Sequence, residues 1–299
     1  MTLYYADHFV LPLPPGHRFP MAKYARLRER LAASGAFRAD EFRVPEAATD
    51  AQILRAHNAE YLERVTKGTL TAAQIRAIGF PWSPQMVERS RRSAGATVAA
   101  ARDALSQGWS ANLAGGTHHA FRDRGEGFCV FNDAAIAARA AQAEAGLSRV
   151  VVIDCDVHQG NGTASILRGD ASVFTLSIHG ARNFPFAKEA SDIDIELADG
   201  TGDEEYLAQL ERGLDEVLER SRAQLAIYLA GADPHEGDRL GRLKLTLAGL
   251  ARRDERVLGR LHALGIPVAI AMAGGYGRDI DDTVAIHATT ILTAQRLWR

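Results

Sequence analysis

Short, unbroken apolar runs recur along this 299-residue chain, and polar or glycine-rich clusters follow them. Runs without polar alternation are typical of strands buried on both faces, as in a parallel sheet covered by helices. Strands are therefore predicted over residues 150–153, 173–176, 225–229 and 267–272, with an earlier strand at 112–114.

Helical patterns separate most of these runs. Pro84 suits the first turn of a helix that ends before Gly108, and the acidic residues from Asp203 onward suit the first turn of another. Helices are predicted over residues 23–33, 84–105, 132–145 and 203–220. The alternation predicts one α/β domain over residues 1–299, with a central, mostly parallel sheet flanked by helices on both faces.

The clusters that follow the strands carry histidine, carboxylate and tyrosine side chains. Ligand sites of open parallel sheets lie beyond the carboxyl ends of the strands, so we expect these side chains to form one active site there. The clusters are Gly115-Gly116-Thr117-His118-His119, Asp154-Cys155-Asp156-Val157-His158, Ser177-Ile178-His179, Gly231-Ala232-Asp233 and Gly274-Gly275-Tyr276.

Asp156 and His158 are candidate metal ligands. They are two residues apart on an extended segment, so their side chains point to the same side. Asp233, after another strand, could complete a three-ligand set of the kind that catalytic zinc sites use. Two carboxylates and one imidazole are unusual for zinc but chemically reasonable. Taken alone, the Asp-x-His pair fits a capping Asp and a loop His equally well.

Adjacent histidines are the second candidate group. His118 and His119 beside a metal could remove a proton from water and protonate a leaving amine. Asp154 is placed to accept a hydrogen bond from one of the rings, and Tyr276, between glycines, could donate to an oxyanion. Taken singly, these residues also fit a surface His pair and a packing Tyr.

An aromatic slot is the third candidate feature. Gly127 permits a close backbone approach, and Phe128 beside it could line a narrow slot. Phe184 and Phe186 could form the opposite wall, although ordinary core packing also explains each aromatic residue.

Composition narrows the class of protein. The chain has 35 basic and 37 acidic residues, a formal net charge of −2, which gives no basic footprint for nucleic acid. Cys129 and Cys155 are too few for a disulfide framework and favour a reducing compartment. No apolar stretch approaches the roughly 20 residues of a membrane helix, and no signal-peptide pattern is seen, so a cytoplasmic protein is expected.

Taken together, the motifs resemble the histone deacetylases of the arginase/deacetylase superfamily, most of all the class IV branch with its bacterial relatives. The resemblance covers nearly the whole chain in the right order. It rests on residues 115–120, 127–133, 154–162, 231–234 and 274–276, and more loosely on 11–31, 79–84 and 183–203.

The resemblance implies an arginase/deacetylase-type fold and two metal sites. Asp156, His158 and Asp233 would bind Zn²⁺, for which Fe²⁺ could substitute. A structural K⁺ ion would lie beneath the zinc, partly on backbone carbonyls. Its expected ligands include Asp154, Ser177 and Ile178 together with Asp156 and His158.

The resemblance also implies catalytic roles. His119 would take a proton from the attacking water and pass it to the leaving amine, His118 would add electrostatic support with Asp154 as its partner, and Tyr276 would polarise the amide carbonyl. The expected walls of the substrate tunnel are Gly127, Phe128, Phe184, Phe186, Gly274 and Gly275.

Asn161 departs from the pattern of the commonest deacetylases, which have an Asp at this position. The sequence His158-Gln159-Gly160-Asn161 matches the class IV type instead. Because a missing carboxylate no longer stabilises an imidazolium, a neutral His119 is predicted, which suits a general base.

The substrate implied by the resemblance is an acyl-lysine side chain of a protein or peptide. A long-chain fatty acyl-lysine or an acylated polyamine is an alternative on the same site. A two-metal arginase would need further carboxylates, and an iron oxygenase would need two histidines and one carboxylate. A non-catalytic binding protein would be expected to lack one of these groups. The oligomeric state and a lid formed by residues 11–19 and 79–83 stay open.

Overall fold

Eight parallel strands form a single sheet in the computed structural model, which describes residues 1–299. The strands are β1 (Leu3–Tyr4), β2 (Phe42–Arg43), β3 (Trp109–Asn112), β4 (Val150–Asp154), β5 (Val173–Gly180), β6 (Ile193–Leu197), β7 (Leu225–Leu229) and β8 (Val268–Ala271). Their order across the sheet is β2-β1-β3-β8-β7-β4-β5-β6, and every neighbouring pair is parallel.

Ten α-helices and one 3₁₀ turn, Ala39–Glu41, connect the strands. The helices are α1 (Ala22–Ala33), α2 (Asp50–Ile53), α3 (Ala59–Lys67), α4 (Ala72–Ile78), α5 (Pro84–Gln107), α6 (Asp133–Ala145), α7 (Asn161–Leu167), α8 (Asp203–Ser221), α9 (Leu247–Ala263) and α10 (Ile280–Leu297). None of them is long and apolar enough to cross a bilayer.

The four predicted helices correspond to α1, α5, α6 and α8, with ends that differ by one or two residues. Capping residues at the helix ends explain why the bounds of these helices could be predicted so closely. Ser83 accepts a hydrogen bond from the backbone of Met86 and Asn132 accepts one from Ala135, so both α5 and α6 have side-chain N-caps. Gly146 ends α6 in the left-handed conformation at φ +70°.

Successive residues of the central strands enter two different cores. Val151 and Ile153 of β4 pack in the core on one face of the sheet, while Val150 and Val152 pack in the core on the other. The first core takes side chains from α1, α8, α9 and α10, and the second takes them from α5 and α6. The predicted α/β fold, a parallel sheet with helices on both faces, is confirmed.

Two strand predictions were wrong in their bounds. The strand placed at 112–114 is β3, which ends at Asn112, because the Asn112 side chain accepts a hydrogen bond from the backbone of Ala114 and turns the chain. The strand placed at 173–176 continues to Gly180, because its second half pairs with β6, so Ser177 lies within a strand.

A buried arginine joins the carboxyl ends of β4 and β7. Arg253 of α9 is fully buried and donates to the carbonyl oxygens of Gly231, at 2.5 Å, and Cys155, at 3.4 Å. Asp254 balances its charge at 2.8 Å and accepts a hydrogen bond from the Tyr228 hydroxyl. Both carbonyl groups lie within two residues of a candidate metal ligand, so Arg253 fixes the backbone that presents them.

We expect Arg253→Met to destabilise the fold, because it leaves the Asp254 carboxylate buried without a cation. Breaking a buried pair costs about 3–5 kcal/mol, to be read as a fall in the free energy of unfolding in urea. Arg256→Met is the control on the same helix, since Arg256 pairs with Glu211 at 2.6 Å near the surface and such pairs contribute about 1 kcal/mol or less. Equal losses in the two variants would contradict the expectation.

Candidate active site

Three side chains of metal-ligand type converge from two neighbouring strand ends. Asp156 and His158 follow β4, Asp233 follows β7, and all three are buried. One potential ligand atom from each lies within 4.8 Å of the others. His158 Nδ1 lies 2.9 Å from Asp156 Oδ1 and 3.3 Å from Asp233 Oδ2.

The electrostatics of this group fit a bound cation. Burial, together with the nearby charge of Asp156, raises the pKa of Asp233 to about 7. Burial disfavours a charged His158, but the two carboxylates outweigh it and raise the His158 pKa to about 10. Asp233 Oδ2 is buried and accepts no hydrogen bond. Oxygen and nitrogen donors crowded in this way suit a divalent metal such as zinc or iron.

Backbone groups hold the two carboxylates in place. The N–H of Val157 donates to Asp233 Oδ1 at 2.9 Å, and the N–H of Gly274 donates to Asp156 Oδ2 at 2.7 Å. A Cβ atom at position 274 would lie 1.9 Å from Asp233 Oδ2 and 2.5 Å from Asp156 Oδ2. Only glycine therefore allows the turn after β8 to touch both carboxylates.

The paired histidines lie side by side next to this group. The rings of His118 and His119 are 4.1 Å apart, and the ring of His119 is 5.8 Å from that of His158. His118 Nδ1 donates to Asp154 Oδ2 at 2.6 Å, and His119 Nδ1 donates to Asn161 Oδ1 at 2.7 Å. With Nδ1 carrying a proton in each ring, Nε2 is the atom left to exchange a proton with a reactant.

Different partners push the pKa values of the two histidines apart. Burial disfavours a charged His118, but Asp154 and Asp156 outweigh it and raise its pKa to about 9. Burial, followed by the positive charge of His118 and His158, lowers the pKa of His119 well below its usual value. One ring is thus cationic and the other neutral at pH 7, an arrangement that separates electrostatic support from proton transfer.

Asp133 positions the loop that carries the histidine pair, a role that sequence reasoning missed. This first residue of α6 accepts hydrogen bonds from the backbone N–H groups of Gly116, at 2.9 Å, and Thr117, at 2.7 Å. The Thr97 hydroxyl of α5 adds a third at 2.6 Å. A carboxylate is favourable at the start of a helix, so Asp133 ties the loop to the first turn of α6.

Tyr276 lines the same inner cavity as the histidine pair and the candidate metal ligands Asp156 and His158. Burial and the charges of Asp156 and Asp233 raise its pKa well above the usual value, so its hydroxyl keeps its proton. Its backbone N–H donates to Asp238 Oδ2 at 2.6 Å. The buried Lys23 donates to the carbonyl oxygen of Gly275 at 3.3 Å and so also supports this turn.

Two cavities meet at the site. The inner one, about 50 Å³, is lined by Phe19 and Tyr24 together with the two histidines and Asp156. The outer one, about 850 Å³, opens to solvent. The linings of both include Gly127, Phe128, His119, His158 and Tyr276.

The expected tunnel residues fall into three groups. Phe128 lines both cavities, and Phe184 lines the outer one, where its ring meets that of His119 edge-on at 4.9 Å. Phe186 is 85% exposed and lies at the outer rim. Gly274 touches the ligand carboxylates, whereas Gly275 lines neither cavity, because its Cβ position faces Thr283 at 2.7 Å.

The residues expected around K⁺ lie together at the ends of β4 and β5. Asp154 pairs with Ser177 in the sheet, and Ile178 follows. The Asp154 carboxylate is already bonded to His118 and to the Asp156 N–H, and the Ser177 hydroxyl bonds to His179. Backbone carbonyl groups are therefore what this region has to offer K⁺, and this site stays a prediction.

Comparison with known proteins decides the family. The family pattern described as "Histone deacetylase domain" matches residues 17–292. The chain belongs to the histone deacetylase family. Histone deacetylase 2 of Arabidopsis thaliana is 32% identical over 270 residues, which cover 87% of this chain and 70% of that protein. The histone deacetylase-like amidohydrolase of Pseudomonas aeruginosa is 33% identical over 251 residues, covering 78% of this chain and 65% of that protein.

Solved structures of histone deacetylase homologues have the same fold. The homologue from Aquifex aeolicus has a TM-score of 0.85 at 23% identity and covers 98% of this chain and 83% of its own. A homologue complexed with SAHA has a TM-score of 0.84 at 24% identity, covering 99% of this chain and 83% of its own. The predicted family and its arginase/deacetylase-type fold are confirmed.

Sequence reasoning overlooked several residues of this deacetylase-family site. Phe19, Lys23 and Tyr24 reach the inner cavity or the Tyr276 turn from the first 24 residues, more than 90 positions before His118. Their own segment carries no glycine-rich or carboxylate motif that marks a site. The acidic first turn of the predicted 132–145 helix could have pointed to Asp133.

We expect Gly274→Ala to lower metal affinity, because the added methyl group would push the two ligand carboxylates apart. The measurement is the metal dissociation constant from competition with a chromogenic chelator, with an expected loss on the order of tenfold to a hundredfold. Gly259→Ala on α9 is the control, since its Cβ position is open. It should leave metal affinity unchanged and raise stability by about 0.5–1 kcal/mol. Unchanged affinity in Gly274→Ala would refute the crowding argument.

We expect Asn161→Asp to move the acidic limb of the pH–rate profile to higher pH. A carboxylate on His119 Nδ1 favours the imidazolium, so the His119 pKa rises and the neutral base is lost at a higher pH on acidification. The measurement is kcat/KM between pH 5 and 9. Asn58→Asp, the same change at the N-cap of α3, is the control, and an acidic limb that shifts equally in both variants would rule the effect out.

Proposed function

We propose that this protein is a zinc-dependent amidohydrolase that removes acyl groups from lysine side chains. The observation that carries the proposal is the buried Asp156–His158–Asp233 group beside the paired rings of His118 and His119, in a cavity that Phe128 also lines. Membership of the histone deacetylase family supports it, and so do the relatives described as deacetylases and amidohydrolases.

Asp156, His158 and Asp233 would hold the metal, which when bound would act as a Lewis acid on the amide and on water. His119 is neutral and would accept the proton of the attacking water at Nε2, then return it to the departing amine. The charged His118, held by Asp154, would stabilise negative charge as it develops.

Tyr276 would complete the site as a hydrogen-bond donor to the oxyanion. Its high pKa keeps the hydroxyl protonated at pH 7, and a donor in a dry site stabilises a developing charge more than it would in water. Phe128 and Phe184 would pack along the aliphatic part of the lysine chain and exclude water.

The size of the inner cavity favours a short acyl group. At about 50 Å³ it has room for a few water molecules, and hence for an acetyl group, but not for a fourteen-carbon chain. Long-chain deacylation would need Phe19 and Tyr24, which line this space, to move aside.

Several finer assignments belong to the same proposal. We propose one catalytic domain over residues 1–299, a class IV type of active-site loop around Asn161, and K⁺ beside Asp154, with Fe²⁺ as a substitute for Zn²⁺. A cytoplasmic location is supported by Cys129 and Cys155, which are both buried and unpaired.

Turnover of a matched acyl-lysine peptide panel, from acetyl to myristoyl, tests the proposal. We expect acetyl to give the highest kcat/KM, removal of metal by a chelator to abolish turnover, and zinc to restore it. Asp156→Asn should be inactive while remaining folded by circular dichroism. A preference for myristoyl would overturn the acyl-length argument, and no metal-dependent turnover of any peptide would overturn the enzyme itself.

A further inference from the structure

The mouth of the outer cavity is lined by arginine side chains. None of the 20 residues that line this cavity is acidic. Five of them are arginines, contributed by the N-terminal loop, by α4 and by the two loops after β5 and β7: Arg18, Arg76, Arg182, Arg239 and Arg242. We name this set the arginine rim.

Nearby carboxylates neutralise only part of the rim. Asp199 lies 3.1 Å from both Arg182 and Arg242 and so shares one negative charge between two cations. Asp238 is buried and forms no ion pair with any arginine of the rim; its two oxygens accept hydrogen bonds from backbone N–H groups. Arg18 and Arg76 are exposed and form no ion pair.

The charge is local to the mouth, because the whole chain has a net charge of −2. By contrast, two partly exposed arginines of α9 are paired: Arg256 lies 2.6 Å from Glu211, and Arg260 lies 2.6 Å from Asp215. At the rim the unpaired cations instead surround an opening that leads to the candidate active site. A cleft lined by one sign of charge concentrates ligands of the opposite sign.

We propose that the arginine rim selects acyl-lysine substrates whose flanking residues are acidic, and rejects acylated polyamines. The inference rests on the proposed function and names its substrate class. An acylated lysine side chain is uncharged and passes the narrow slot between Phe128 and Phe184, while glutamate or aspartate neighbours remain at the mouth beside Arg18 and Arg76. A polyamine keeps further ammonium groups, which the rim repels.

The test compares acetyl-lysine peptides that differ only in the residues on either side of the lysine, as Glu, Gln or Lys, together with acetylspermidine. At low salt we expect kcat/KM for the Glu peptide to exceed that for the Lys peptide by roughly tenfold or more, with acetylspermidine lowest. Since the Debye length falls to about 8 Å at physiological ionic strength, the ratio should shrink as NaCl is added.

The double variant Arg18→Glu/Arg76→Glu should reverse the ratio between Glu and Lys peptides. Because both rates come from one protein sample, the ratio does not depend on how much of it is folded. Arg30→Glu/Arg212→Glu makes the same charge change at two exposed, unpaired arginines outside the cavity lining, and it should keep the original ratio.

The outcomes separate this inference from the proposed function. Turnover of the Gln peptide without a preference for Glu, or fastest turnover of acetylspermidine, overturns the inference and leaves the amidohydrolase intact. A Glu preference that survives in the rim variant also overturns it. Stronger inhibition by an oligodeoxynucleotide than by a Glu-rich peptide without acyl-lysine would assign the rim to phosphates and overturn it. No turnover of any substrate overturns both.

Discussion

Two carboxylates held together inside the protein are the constraint around which the site is built. Asp156 and Asp233 follow the neighbouring parallel strands β4 and β7, so the sheet itself brings them close together. Burying two like charges costs free energy, and neighbouring groups of the protein offset part of that cost. The backbone N–H groups of Val157 and Gly274 donate hydrogen bonds to the two carboxylates. Arg253 donates to backbone carbonyl oxygens near both aspartates and so fixes the backbone that carries them. The remaining negative charge is what a divalent cation would neutralise.

The same negative charge contributes to the different pKa values of the two histidines. His118 faces Asp154 and lies 3.9 Å from Asp156, so it is held as a cation. His119 is bonded to an uncharged amide, Asn161, and is next to that cation, so it is held neutral. A single substitution, a carboxylate for the amide, is therefore expected to raise the His119 pKa and so to change the pH at which this ring can accept a proton. The neighbours of the pair, rather than the rings themselves, decide their chemistry.

Local patterns predicted the sheet well, and the side chains that they marked lie together at one edge of it, because each predicted strand leads toward that edge. They failed where tertiary contacts decide. The continuation of β5 depends on pairing with β6, an alternating edge strand whose pattern in Ile193–Leu197 could have been recognised. The inner cavity and the arginine rim could not have been predicted. Phe19 and Arg76 come from distant segments without the histidine and carboxylate clusters that mark the site, and a near-neutral net charge conceals a local cluster of arginines.

The charges of the side chains that line the site change sign from its base to its mouth. Under the proposed function, the groups that catalyse the reaction are therefore separate from the groups that select the substrate. Carboxylates lie at the base, where a metal would be held, and arginines line the outer cavity together with Phe184. An acylated lysine side chain carries no charge, so neither end of the slot attracts or repels it. The groups that differ between substrates remain outside, where exposed arginines can distinguish them without touching the amide. Substrate preference can then change through residues such as Arg18 while the catalytic groups stay the same.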